Sequence, residues 1–179
     1  VQFLYYCKKY SRELEVALVV VLIKFALLLF SYYGSPDQII SLSDLFATWH
    51  RWDSGVYTDI ATQGYAPGDM NNKAWSFLSN FPPLYSFLIF VVARVFFLPL
   101  ATSGVLVSFA AIICASVFLY KLMLLEHKKS EKAWFAVLFL NLYPTSYFTL
   151  AVYSESVFLA VTILFFYYLK KEQFWHAAL

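Results

Sequence analysis

The stretch from Leu14 to Tyr33 is almost unbroken apolar sequence, and comparable runs follow at Val105–Leu125 and Ala133–Leu150. Each approaches the roughly 20 residues that a helix needs to cross about 30 Å of hydrocarbon. The runs are continuous where barrel strands would alternate, and Gly and Pro fall mostly between them, so the spans are helices. Composition agrees: 61% of residues are hydrophobic, 21% aromatic and 13% charged, far from the balance of a water-soluble domain. The expected fold is an all-α, polytopic membrane helix bundle, with spans at about 14–33, 105–125, 133–150 and 154–170 and the start of another at 174. Val1 is not an initiator and the last apolar run stops short, which reads as an amino-terminal piece of a longer protein.

Lys8, Lys9 and Arg12 precede the first run, which is too long for a signal-peptide core and lacks a small-residue cleavage site; it is a signal anchor. Lys24 within it would cost roughly 2.5–3.5 kcal/mol at the centre of an isolated span, so it faces the bundle interior or an acidic partner. Residues 34–100 form the outer loop region. Up to Asn80 they carry Asp37, Asp44, Asp53, Asp59 and Asp69 against Arg51 and Lys73 as the fixed positive charges. Ile39, Ile40, Leu42, Leu45 and Phe46 recur at helical spacing, as in a juxtamembrane helix lying in the interface. Gly64, Pro67, Gly68, Asn71 and Asn72 mark an irregular stretch.

Leu84 to Leu98, between Pro83 and Pro99, is too short for the bilayer core and carries Arg94. If it crossed, the basic clusters at 128–132 and 170–171 would lie on opposite faces. If it lies along or re-enters the outer leaflet, all basic clusters are cytoplasmic, as the Lys/Arg bias of short inner loops prefers. The second topology is adopted. It puts Tyr153-Ser154-Glu155 on the outer side with Asp53, where the two acids share a cavity, and Pro144 breaks the preceding helix near the same depth.

The chemistry-bearing cluster is Trp49-His50-Arg51-Trp52-Asp53-Ser54-Gly55-Val56-Tyr57. Asp53 suits a general base within reach of a hydroxyl, with Arg51 available to an anionic group. Its structural alternatives are an interfacial aromatic belt and a helix cap by Asp53. His50 is a rival base, ranked lower because a lone His beside aromatics is more often packed. Cys7 and Cys114 suggest neither a structural disulfide nor a metal site, and no basic stripe suggests nucleic acid.

Trp52-Asp53 after the first span, Ile60-Ala61 with Gly64-Tyr65, Phe81-Pro82-Pro83-Leu84-Tyr85, and Pro144 followed by Tyr153-Ser154-Glu155 together resemble the PIG-V-like mannosyltransferases. That family includes the GPI mannosyltransferase II enzymes and prokaryotic relatives with a GT-C fold. Ser86 stands where a second proline often follows the Leu-Tyr pair. The resemblance implies transfer of a sugar, usually mannose, from a polyprenyl- or dolichyl-phosphate carrier to a glycan or glycolipid hydroxyl on the extracytoplasmic or lumenal face. The membrane would be the plasma membrane in a prokaryote and the endoplasmic reticulum in a eukaryote. Asp53 is then the catalytic base. Arg51, Trp52, Tyr57, Tyr85, Tyr153, Glu155 and Arg94 are substrate-binding candidates, with Glu155 orienting a substrate or ion-paired to Lys24 or Arg94. No metal or cofactor is required. Two other classes stay open: a transporter or flippase with a charged pathway through Lys24, Glu155 and Arg94, and a non-catalytic membrane subunit.

Overall fold

The computed structural model describes residues 11–35, 39–65 and 78–178. Cys7, Lys8, Lys9, Asp37, Pro67, Gly68, Asp69, Asn71, Asn72 and Lys73 lie outside the described residues. Among those described there is no strand, and the fold is an all-α membrane helix bundle. In chain order the helices are α1 (Ser11–Gly34), α2 (Leu42–Ala47), α3 (Ser54–Gln63), α4 (Pro83–Phe96), α5 (Leu100–His127), α6 (Ser130–Leu142), a 3-10 turn (Pro144–Thr149), α7 (Glu155–Lys170) and α8 (Phe174–Ala177).

Two of these, α1 and α5, are long and apolar enough to cross a membrane. On α1 the sequence divides into two stripes. Val16, Val20 and Lys24 turn inward and are fully buried, while Leu14, Leu18, Leu22, Phe25 and Leu29 turn outward. In water the outward stripe would be a liability; against lipid tails it costs nothing, because the surrounding medium is as apolar as leucine.

The central element is α5, against which α1, α2, α4, α6 and α7 all pack. Its inner faces use small residues, with Ser103, Gly104, Ser108, Ala115 and Ser116 buried. Such residues let backbones approach closely where lipid supplies no hydrophobic drive between helices. Gly104 is the closest approach: a Cβ there would lie 2.5 Å from Cγ1 of Val152.

Residues 133–150 are not one continuous helix. Pro144 has no amide proton and its ring clashes with the preceding turn, so α6 stops at Leu142 and the chain tightens into the 3-10 turn. The bundle thus has two distinct ends. At one, Lys121 of α5 reaches Glu13 of α1 (3.4 Å) and Lys170 of α7 reaches Glu126 of α5 (2.8 Å). At the other, α2, α3, the start of α4 and the chain at Leu150–Tyr153 close over a shared aromatic core.

Candidate functional site

The site is assembled at that aromatic end. The approach to it is set by α2, which a reciprocal cap fixes: Ser41 Oγ accepts from the Asp44 amide (3.2 Å), and the Asp44 carboxylate accepts from the Ser41 amide (2.9 Å). Hydrogen bonding from Ser41, its side chain first and then its amide, holds the Asp44 carboxyl below the usual carboxylate range. Helical structure begins only at Leu42, so Ile39 and Ile40, expected on the same helix, precede it. Beyond α2, Trp49 is buried, its indole N–H donating to Ser31 Oγ of α1 (3.0 Å) and its ring stacking on Tyr147 at 4.8 Å.

The next residues turn out of the core. Trp52 has φ 46°, in the left-handed region that a bulky side chain rarely occupies, and is 75% exposed. Its ring leans on Tyr147 (6.5 Å) and Phe148 (6.3 Å) of the 3-10 turn. That backbone reversal delivers Asp53 to the surface at the N-cap position of α3. The expected cap is not made: the Asp53 side chain accepts no hydrogen bond from the helix. Ser54 Oγ accepts instead from the Arg51 amide (3.1 Å), which precedes the helix. Freed from capping, the Asp53 carboxylate is exposed and has no cation within ion-pair distance among the described residues. His50 is tied to Thr58 Oγ1 (3.1 Å), a packed role.

Tyr57 and Tyr153 form the floor. The Tyr57 hydroxyl shares a 2.7 Å hydrogen bond with Ser154, and the Tyr153 hydroxyl donates to the Arg51 carbonyl (3.1 Å). Burial pushes both phenols up, and the negative fields of Glu155 and Asp53 act on each in the same direction. Burial raises the Glu155 carboxyl as well, and the Asp53 charge acts on it in the same direction.

Asp53 does not border the cavity that Glu155 lines, where the sequence predicts one cavity shared by the two acids. Glu155, the first residue of α7, borders a cavity of about 350 Å³ with Tyr143, Thr145, Ser146, Phe148 and Thr149. Arg51 borders a separate one of about 430 Å³ with Ser31, Thr48, Trp49 and Tyr147. The aromatic ridge of Tyr147 and Phe148, with Trp52 against it, stands between them. The expected ion pair of Glu155 with Lys24 or Arg94 is absent among the described residues. The Lys24 ammonium instead donates to the Ser146 carbonyl (3.2 Å) and Thr149 Oγ1 (2.9 Å).

Of the sequence-derived site residues, Arg51, Trp52, Asp53, Tyr57, Tyr153 and Glu155 are brought together. Two are not. Tyr85 is 1% exposed beneath Tyr57, its hydroxyl donating to the Gly104 carbonyl (3.0 Å) and paired with Ser108 Oγ (2.8 Å), so it fastens α4 to α5. Arg94 lies nine residues further along α4, about 13 Å by the helical rise, with its guanidinium over Phe90. In sequence Ser154 is named within the Tyr153-Ser154-Glu155 turn without a role of its own, and the Tyr147-Phe148 ridge carries no mark there. The spacing of Ser154 beside Glu155 was the only available signal. Among the described residues no three His, Cys, Asp or Glu side chains converge as a metal site would require.

Comparison with curated proteins finds one whose sequence aligns with most of this chain. The chain is similar to GPI mannosyltransferase 2 of Schizosaccharomyces pombe (strain 972 / ATCC 24843), 28% identical over 131 residues. The similarity is to a mannosyltransferase. The aligned region is 73% of this chain and 27% of that protein, so the chain spans little more than a quarter of the length of the relative it matches. No family model matches, and no solved structure matches.

Proposed function

We propose that this chain is part of a membrane mannosyltransferase that moves a sugar from a polyprenyl- or dolichyl-phosphate carrier to an acceptor hydroxyl. The similarity to GPI mannosyltransferase 2 supports the class of reaction. The observation that carries the mechanism is Asp53: an exposed carboxylate at a helix start, released from capping and set beside a strained tryptophan.

In the proposed step, the acceptor oxygen attacks the anomeric carbon from the face opposite the phosphate. The new C–O bond forms as the bond from the anomeric carbon to the phosphate oxygen breaks. The lipid phosphate leaves with the bonding electron pair, the acceptor proton passes to Asp53, and the anomeric configuration inverts. One base suffices for a single displacement. Arg51, with its Nε held on the Thr48 carbonyl (3.1 Å), leaves its terminal nitrogens to meet the departing phosphate. Glu155 accepts hydrogen bonds from sugar or acceptor hydroxyls at its own cavity. Arg94, far along α4, is assigned no part in this step.

The site is placed on the extracytoplasmic or lumenal face. In support, the ion pairs of Glu13, Lys121, Glu126 and Lys170 draw the basic ends of α1, α5 and α7 together, opposite Asp53. Near the start of α4 the Tyr85 hydroxyl bonds the Gly104 carbonyl, and three residues join the end of α4 to α5.

The test is sugar transfer in membranes carrying the full-length parent, with labelled polyprenyl-phosphate mannose and nucleotide-linked mannose compared as donors. Transfer from the lipid-linked donor is expected; transfer from the nucleotide donor alone would sink the reading.

A further inference from the structure

Lys24 follows Val16 and Val20 on the inner stripe of α1 and is fully buried. No carboxylate lies within ion-pair distance of it among the described residues. Its hydrogen bonds go to the 3-10 turn, at the Ser146 carbonyl (3.2 Å) and Thr149 Oγ1 (2.9 Å). Thr149 Oγ1 donates in turn to the Ser146 carbonyl (2.7 Å), and Ser146 Oγ to the Asn141 carbonyl (2.8 Å). The polar groups that the break at Pro144 releases are thus gathered by a side chain from another helix, 122 residues earlier in the sequence.

What that turn carries makes the contact more than packing. Ser146 and Thr149 line the cavity of Glu155. Tyr147 and Phe148, between them, are the ridge on which Trp49 stacks and Trp52 leans. A shift of the turn would move the Glu155 wall and the seat of the Trp52-Asp53 loop together. A neutral apolar residue would fill the inner stripe at lower desolvation cost than an ammonium, so the hydrogen bonds to the turn are what the lysine adds. Its long stem carries the donors across the apolar packing to reach it.

We propose that Lys24 is a positioning residue for the site: by holding the Pro144–Thr149 turn from α1, it sets the geometry of the Glu155 cavity and of the Trp52-Asp53 loop without touching substrate. Only the activity arm of its test rests on the transferase reading.

The test uses the full-length parent in a background without other cysteines, with Thr145→Cys on the cavity wall as a reporter for a small thiol reagent. Lys24→Met is expected to raise the labelling rate at least about fivefold by loosening the turn, and Lys24→Arg to return it to near the wild-type rate. In transfer assays on folded protein, Lys24→Met is expected to lower kcat by about tenfold to a hundredfold. Thr149→Val, which removes the acceptor for Lys24 and with it the Thr149 bond to the Ser146 carbonyl, should reproduce the labelling change and add less than its single effect to Lys24→Met in the double variant. It carries the test should Lys24→Met fail to accumulate. Unchanged labelling in either variant, or effects that simply add, would overturn the proposal. Normal labelling responses in a parent that transfers no sugar would instead overturn the transferase reading and leave this one standing.

Discussion

Trp52 holds a backbone conformation that costs of order 1–3 kcal/mol and is usually reserved for glycine or asparagine. Its ring returns about 0.5–1.5 kcal/mol through Tyr147 and Phe148, so the strain is roughly offset and not relieved. Trp52→Asn, which accepts the same backbone, is expected to change stability by less than about 1 kcal/mol while lowering transfer at least tenfold. Denaturation in detergent and turnover on the same preparation read the two effects; unchanged turnover would make the strained residue idle. The residues that sequence alone could point to were those with an exposed chemical signature. Asp53, Glu155, Arg51 and Trp52 stood out as charges or indoles in an apolar chain, and the structure gathers them. A tyrosine beside two prolines reads the same in sequence whether its hydroxyl meets substrate or, as for Tyr85, the Gly104 carbonyl. Lys24 was legible as an inward-facing charge, but its acceptors are a carbonyl and a hydroxyl on a turn that no sequence period marks.

Helices α4, α5 and α7 owe their mutual placement to small residues and a few hydroxyls more than to interlocking large side chains. Ser108 Oγ donates to the Ala151 carbonyl (2.8 Å), and Gly104 leaves room for Val152, so the chain entering α7 lies hard against α5. A methyl group added at Gly104 would meet the Val152 side chain well inside contact distance. Gly104→Ala is therefore expected to destabilise the bundle by about 1–3 kcal/mol, the range for overpacking. A lowered melting midpoint in detergent checks it, and Gly104→Ala with Val152→Ala should recover most of the loss. At this scale the sequence was informative about kind. Apolar runs and proline brackets announced helices, a membrane setting and a break at Pro144. The packing partners were invisible, because each helix of a membrane bundle is apolar all round and its pattern does not say which face meets protein.

The described residues are polarised: an aromatic core closes one end of the bundle, beside Asp53 and Glu155, and at the other Lys121 and Lys170 pair with Glu13 and Glu126. In the proposed orientation Gln63, at the end of α3, lies outside, and Ser130, at the start of α6, lies inside. Single cysteines at these positions in intact cells should be labelled by an impermeant thiol reagent at Gln63 alone; labelling at Ser130 alone would invert the molecule. In the proposed step Asp53 takes the acceptor proton. The most direct measurement is sugar transfer from labelled polyprenyl-phosphate mannose by the full-length parent, wild type against Asp53→Asn, with donor binding measured on the same membranes. Loss of a positioned base predicts a fall of about a hundredfold to ten-thousandfold in kcat with donor binding retained. Wild-type turnover in Asp53→Asn would contradict the account.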